Sequence, residues 1–178
     1  VQAGTVRVGD AVMLSPDGRA LRVRALRAQD RTVNQAVEGD RCAINLAGRV
    51  RKEEIRRGDW IVAQRAHART RRLDARIRVL GTEYHALKHW TSAHVHLGTA
   101  DVTGRIAILE SKEIGVGDTG LVQLVLDTPV NASAGNAVII RDQSARRTIG
   151  GGRIVDPFSP ARGRARPERL AWGRALCA

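Results

Sequence analysis

Apolar and polar residues alternate with a period of two along much of this chain. Cys42, Ile44 and Leu46 fall on one side of a stretch whose other side carries Arg41, Ala43 and Asn45. From Leu73 to Val79, Leu73, Ala75, Ile77 and Val79 alternate with Asp74, Arg76 and Arg78. Successive side chains of a strand point to opposite faces, so each stretch predicts a half-buried strand, the second with Asp74, Arg76 and Arg78 outward. Gly-Asp occurs four times, at Gly9-Asp10, Gly39-Asp40, Gly58-Asp59 and Gly117-Asp118. Each pair leads into an apolar stretch: Ala11–Leu14, Arg41–Leu46, Trp60–Ala63 and Leu121–Leu126. Glycine accepts positive φ and aspartate bonds nearby backbone, so these pairs predict turns that start strands. Ser15-Pro16-Asp17-Gly18 predicts a further turn, joining Ala11–Leu14 to a strand over Leu21–Leu26. Many short strands separated by such turns predict an all-β chain of two consecutive small antiparallel β-barrels.

The polar stretch from Gln64 to Arg72 divides the pattern, placing one barrel over residues 1–68 and a second over 69–158. Ser159 to Pro167 is rich in Pro, Gly and Arg and reads as a basic linker. Pro167 suits the first turn of a helix running to Leu176, although Gly173 weakens it.

Charge narrows the partner. Thirty Lys and Arg against eighteen Asp and Glu give a net +12 over 178 residues, well beyond what solubility requires. A phosphate backbone is the usual counterpart of such an excess. No apolar run is long enough to cross a bilayer and no basic amphipathic helix is visible, so a membrane partner is not expected. Cys42 and Cys177 have neither metal nor disulfide-framework spacing, which fits a reducing, cytoplasmic setting. The chain begins at Val1 and its single methionine is Met13, so it is expected to be processed or cut from something longer.

No glycine-rich phosphate loop, nucleophile elbow or catalytic triad is present, so no catalytic residue is expected. His85 and His89, and His94 and His96, lie at spacings that two metal ligands could use. No Cys or carboxylate cluster completes a set, so no metal is expected, and His94 and His96 are read as hydrogen-bonding or RNA-backbone residues. Arg141 to Gly152 supplies cationic and hydroxyl donors in Arg141, Arg146, Arg147 and Thr148, followed by three glycines. That pattern fits a bulged barrel corner, a phosphate contact, or both. Tyr84, Phe158 and three tryptophans are too few for a base-stacking platform, so a folded or duplex RNA held by phosphates and sugar hydroxyls fits better.

Three stretches resemble a known family. VRALRAQDRTVNQAVEGDRCAINLAG from Val23, closing with KEEIRRGDW at Trp60, resembles the second-domain barrel of translation GTPases. HVHLGTADVTGRIAILE, His94 to Glu110, resembles the central strands of their third domain. IRDQSARRTIGGGRIVDP, Ile140 to Pro157, with the basic ARGRARPERL after it, is most similar to the bacterial selenocysteine-specific elongation factors. The resemblance implies that the family's GTPase domain, the first strand of its second barrel and its winged-helix domains lie outside this chain. GTP and Mg²⁺ would then belong to the full-length family, with no cofactor here, and the ribosome and mRNA hairpin would be met only through the full-length protein. The barrels of another translation GTPase, a generic RNA-binding double barrel and a protein-interaction module remain the competing readings.

The resemblance further implies that the second-domain barrel holds the aminoacylated 3′ end of selenocysteinyl-tRNA, and that the third grips the acceptor and T-stem backbone. A selenol ionises more readily than a thiol, whose reference pKa is about 8.5. The selenocysteinyl end is therefore anionic where its seryl precursor is neutral, and a guanidinium would tell them apart. Arg41 is the candidate, or else an ordinary solvated arginine beside a turn, with Gln29 and Arg31 as weaker ones. Candidates for tRNA backbone contact are His94, His96, Thr103, Arg141, Arg146 and Arg147.

Overall fold

The computed structural model describes residues 1–176; Cys177 and Ala178, the end of the expected C-terminal region, lie outside the described residues. The chain separates into two compact units, Val1–His67 and a second from Ala68 onward.

The first unit contains β1 (Thr5–Arg7), β2 (Ala11–Ser15), β3 (Arg19–Ala28), β4 (Arg31–Val33), β5 (Gln35–Val37), β6 (Cys42–Ala47) and β7 (Trp60–Val62). Its five-stranded antiparallel sheet runs β4-β3-β2-β7 with β6 also on β3, beside a β1–β5 ribbon. Val12, Leu14, Leu21, Val23 and Leu26 form its core, with Ile44, Leu46 and Ile61 packed against them. Along β6, Cys42, Ile44 and Leu46 are half-buried while Ala43, Asn45 and Ala47 are exposed, as the alternation predicts. The three-residue strands β1, β4 and β5 escape a period-two reading because each is too short to complete an alternation.

The second unit contains β8 (Thr70–Val79), β9 (Leu87–Lys88), β10 (Thr91–Leu97), β11 (Ala100–Ile108), β12 (Glu113–Ile114), β13 (Thr119–Val130), β14 (Ala137–Arg141), β15 (Thr148–Asp156) and α1 (Pro167–Ala175). Six of its strands close an antiparallel barrel in the order β10-β11-β13-β8-β15-β14, and β14 pairs back onto β10. Leu73, Ala75, Ile77 and Val79 of β8 point inward with no exposed surface. Val95, Leu97, Ile106, Val122, Leu124, Val138 and Ile140 meet them there.

The Gly-Asp turns repeat one device. The glycines at 9, 39, 58 and 117 all have positive φ, between 80° and 100°. At the first three, the aspartate carboxylate accepts the backbone N–H three residues back at 2.7–2.8 Å, and its own N–H donates to that residue's carbonyl. Gly135-Asn136 builds the same turn with an amide oxygen, accepting from the Ser133 N–H at 2.9 Å, and β14 starts from it.

The glycine run of β15 is a packing requirement. A Cβ on Gly152 would lie 1.8 Å from the Arg76 carbonyl oxygen, and one on Gly150 2.4 Å from that of Arg78. Between β8 and β14 there is room for bare backbone only. The register shifts between Ile140 and Arg141 where β14 meets β15, so the corner is also bulged.

Two expectations change here. Asp74 lies on the outer face of β8 yet is only 3% exposed. Residues 159–176, expected as a linker and helix, fold back over that face. The Arg169 guanidinium of α1 donates twice to Asp74 Oδ2, at 2.7 and 3.1 Å, and also to Asp156. Arg164 reaches Gln123 Oε1 at 3.3 Å, and Gln123 Nε2 donates to the Pro160 carbonyl at 3.1 Å. Leu170 packs on Leu109, Leu121 and Val155. Gly173 is buried against Leu121, with 2.8 Å available where a Cβ would stand. The glycine that weakens the helix in sequence is the one that lets it approach the barrel.

Candidate nucleic-acid interface

In the first unit, Gln29 and Asp30 both have positive φ and form the two-residue turn between β3 and β4. Ala28, the last residue of β3, pairs with Arg31 on one side and Cys42 on the other. Gln29, Arg31 and Arg41 therefore gather at one end of β3, all three exposed. Arg27 steadies the turn by donating to the Asp30 carbonyl at 3.2 Å.

In the second unit, barrel closure joins residues far apart in sequence. His94 lies opposite Thr103 of β11 and Arg141 of β14, and His96 lies opposite Asp101 and Ile139. The two imidazoles stack with centroids 6.4 Å apart and planes 24° from parallel. His94 Nδ1 is 2.8 Å from Asp101 Oδ1, a hydrogen bond; His96 Nε2, at 3.8 Å, is too far for one. That Nε2 and Arg141 Nε are buried without a hydrogen-bond partner among the described residues. The Thr103 hydroxyl donates to Asp127 Oδ2 at 2.5 Å. The hydrogen bond from His94, backed by the charges of His96, His94 and Arg141, holds the Asp101 carboxyl below its ordinary range against a small desolvation.

Arg146 and Arg147 sit in the loop after β14, which Asp142 organises. Its Oδ1 accepts the N–H groups of both, at 2.8 and 3.0 Å, and its Oδ2 accepts the Ser144 hydroxyl. These bonds, that of the Arg147 N–H first, hold the Asp142 carboxyl below its usual value. The Arg147 guanidinium pairs with Glu83 at 3.0 Å, whereas Arg146 is exposed.

The structure thus brings His94, His96, Thr103 and Arg141 onto one outer face of β10, β11 and β14 and sets Arg146 and Arg147 on the adjoining loop. Asp101, Asp127, Asp142 and Glu83 are the partners that sequence reasoning missed. The pairing of Asp101 was readable: a two-residue turn at Gly98-Thr99 sets His96 opposite Asp101 and places His94 diagonally from it. The other partners come from strand pairings and loop contacts that no local pattern shows.

A closed six-stranded antiparallel barrel, preceded in the chain by a smaller β unit with its own core, is a succession of domains that translation elongation factors share. Residues 74–161 match the family described as selenocysteine-specific elongation factor, β-barrel domain, and residues 1–62 match elongation factor Tu domain 2. The selenocysteine-specific elongation factor of Escherichia coli (strain K12) is 36% identical over 174 residues, which is 98% of this chain and 26% of that protein. Elongation factor Tu 2 of Streptomyces avermitilis is 29% identical over 159 residues, 87% of this chain and 40% of that protein. In fold, the chain is similar to translation elongation factor SelB from Methanococcus maripaludis in its apo form. The TM-score is 0.74 at 22% identity, covering 89% of this chain and 38% of the other. The chain belongs to the selenocysteine-specific elongation factor family. It spans about a quarter of the length of the family's curated relatives that it matches.

Proposed function

We infer that this chain is the tRNA-binding part of a cytoplasmic factor that delivers selenocysteinyl-tRNA to the ribosome at recoded UGA codons. The observation that carries the reading is the succession, in one chain, of a match to elongation factor Tu domain 2 and a match to the selenocysteine-specific barrel. In this reading the β3 end of the first unit receives the aminoacyl end. Arg41 is the group that favours a selenolate over a hydroxyl, with Gln29 and Arg31 beside it. The β10-β11-β14 face of the second unit meets the tRNA backbone.

The chain does no catalysis in this reading. GTP and Mg²⁺ belong to the full-length family; no glycine-rich phosphate loop occurs here to hold them, and no group of three or more His, Cys, Asp or Glu among the described residues could hold a metal. The ribosome and an mRNA hairpin are partners of the full-length protein. No helix among the described residues is long and apolar enough to cross a membrane.

The test is Arg41→Ala in the full-length protein, with Kd measured for selenocysteinyl-tRNA and seryl-tRNA. A charge-assisted hydrogen bond is worth about 1.5–3 kcal/mol, so selenocysteinyl-tRNA should weaken by about 10- to 100-fold and seryl-tRNA by far less. Equal losses for both tRNAs would refute the role of Arg41. Arg146→Ala should weaken both tRNAs and flatten the dependence of log K on log salt by about one unit.

A further inference from the structure

The positive charge of the second unit is not on the face just described. From Ala68 on there are seventeen Lys and Arg against ten Asp and Glu, a net +7. Around the β10-β11-β14 face and its loop, Arg105, Arg141, Arg146 and Arg147 stand with Glu83, Asp101, Asp127 and Asp142, so that region contributes none of the excess.

Part of the excess is on the opposite wall. In the closed order β10-β11-β13-β8-β15-β14, β8 is three strands from β10 in either direction and so lies across the barrel from it. On the outside of β8, Arg76 stands directly opposite Arg153 of β15, and Arg78 is opposite Gly151. The three arginines, with Thr119, Gly151 and Gly152, line an open cavity of about 390 Å³, and no Asp or Glu is among its lining residues that the structure describes. Arg78 and Arg153 donate to the carbonyls of Gly117 and Gly135, at 3.2 and 2.8 Å, bonds that orient the guanidinium groups without neutralising them. Neither forms an ion pair among the described residues.

We propose that the Arg76–Arg78–Arg153 groove is a second RNA-binding surface, which takes the phosphodiester backbone of an RNA other than the one held on the β10 side. Guanidinium forks match phosphate oxygens in pairs. Alternate residues on one strand face are about 6.8 Å apart, a spacing suited to successive phosphates of a folded strand. Gly151, opposite Arg78 on the outer face, leaves the floor clear of a side chain there, so a bulky backbone can settle against it. The inference rests on the general reading of the chain as an RNA binder but not on the β10 face being its tRNA site.

The experiment uses the whole chain and a fluorescein-labelled 12-base-pair RNA duplex, with anisotropy followed across salt and arginine Nε–H resonances followed by NMR. Arg78→Gln/Arg153→Gln should weaken duplex binding at least tenfold and reduce the salt slope by about two. The thermal midpoint should change little, because both side chains are exposed. The duplex should shift the Nε–H signals of Arg78 and Arg153 in the wild-type chain. Arg146→Gln, on the other wall, should leave these effects in place. If the double variant binds the duplex as well as wild type, or if a glutamate-rich peptide perturbs the two arginines and the duplex does not, the proposal is wrong. Failure of tRNA to respond to Arg146→Gln, with duplex binding still lost in the double variant, would overturn the β10-face reading and leave this groove standing.

Discussion

Replacing Arg169 with methionine probes the contact that folds the C-terminal segment onto the barrel. The guanidinium is 22% exposed and the Asp74 side chain beneath it 4%, so the pair lies largely out of water. Burial disfavours the cation, but the hydrogen bonds and charges of Asp156 and Asp74 outweigh it and raise the Arg169 pKa. Methionine fills much of the same volume, leaves Asp156 without this partner, and leaves the Asp74 carboxylate buried with, among the described residues, only Gln123 Nε2 donating to it, at 3.2 Å. Breaking a buried pair by removing one partner costs about 3–5 kcal/mol. Residual solvent contact and the Gln123 bond place this case near the lower bound. The loss also has a ceiling: if the strain exceeds what Leu170 and Gly173 contribute against Leu121, the segment lifts off and the barrel survives.

We therefore expect a loss of about 3 kcal/mol if unfolding is cooperative, which for a unit of this size lowers the thermal midpoint by about 10 °C. If the segment detaches first, amide exchange over residues 157–176 should rise at least a hundredfold while β8 stays protected. Circular dichroism melts and exchange mass spectrometry separate the two outcomes. Arg169→Met/Asp74→Leu should recover part of the loss, since Asp74 is then no longer an uncompensated charge, while Asp156 still loses its partner. Unchanged melting together with unchanged exchange in α1 would refute the argument.

Gly152→Ala should open the barrel, because its Cβ would meet the Arg76 carbonyl oxygen and the carbonyl carbon behind it at 2.8 Å. A cost above about 3 kcal/mol is expected, against a change within about 1 kcal/mol for Gly81→Ala, which meets nothing within 4 Å; denaturant melts of both check it. Asp101→Asn tests the imidazole cluster. A carboxyl whose folded pKa is depressed adds stability that is full above its unfolded pKa, about 3.9, and is lost as pH falls through the folded value. The stability gap between wild type and Asp101→Asn should thus close below about pH 4, and a gap independent of pH would exclude the bond to His94 as its source.

Local periodicity carried much of the fold. The alternation of β6 and the inward set of β8 are legible because a strand buried on one face must repeat every second residue. The turns are legible because glycine and aspartate do their work within four residues. Gly135-Asn136 makes the same turn with an amide, and a search restricted to Gly-Asp passes over it. Asp74 could not be read, since the arginine that permits its burial is 95 residues away. For the same reason, residues 159–176 look like a linker by composition: their partners Gln123 and Leu121 belong to β13, and Leu109 directly follows β11. Of the candidate site, His94, His96 and Thr103 were legible as one hairpin, whereas Arg141 joins them only when β14 closes on β10.

The turns that hold an Asp or Asn side chain against the N–H three residues upstream have a bearing on how the chain folds. Each finds its partner within its own four residues, so its bond can form before any distant strand arrives. Closing such a short loop is fast and costs little chain entropy, whereas pairing β14 with β10 must bring together segments some forty residues apart. The turns act as preset corners, so the slow search for long-range partners starts from segments whose directions are already fixed. Substituting the Asp or Asn at these corners should therefore slow folding more than it speeds unfolding.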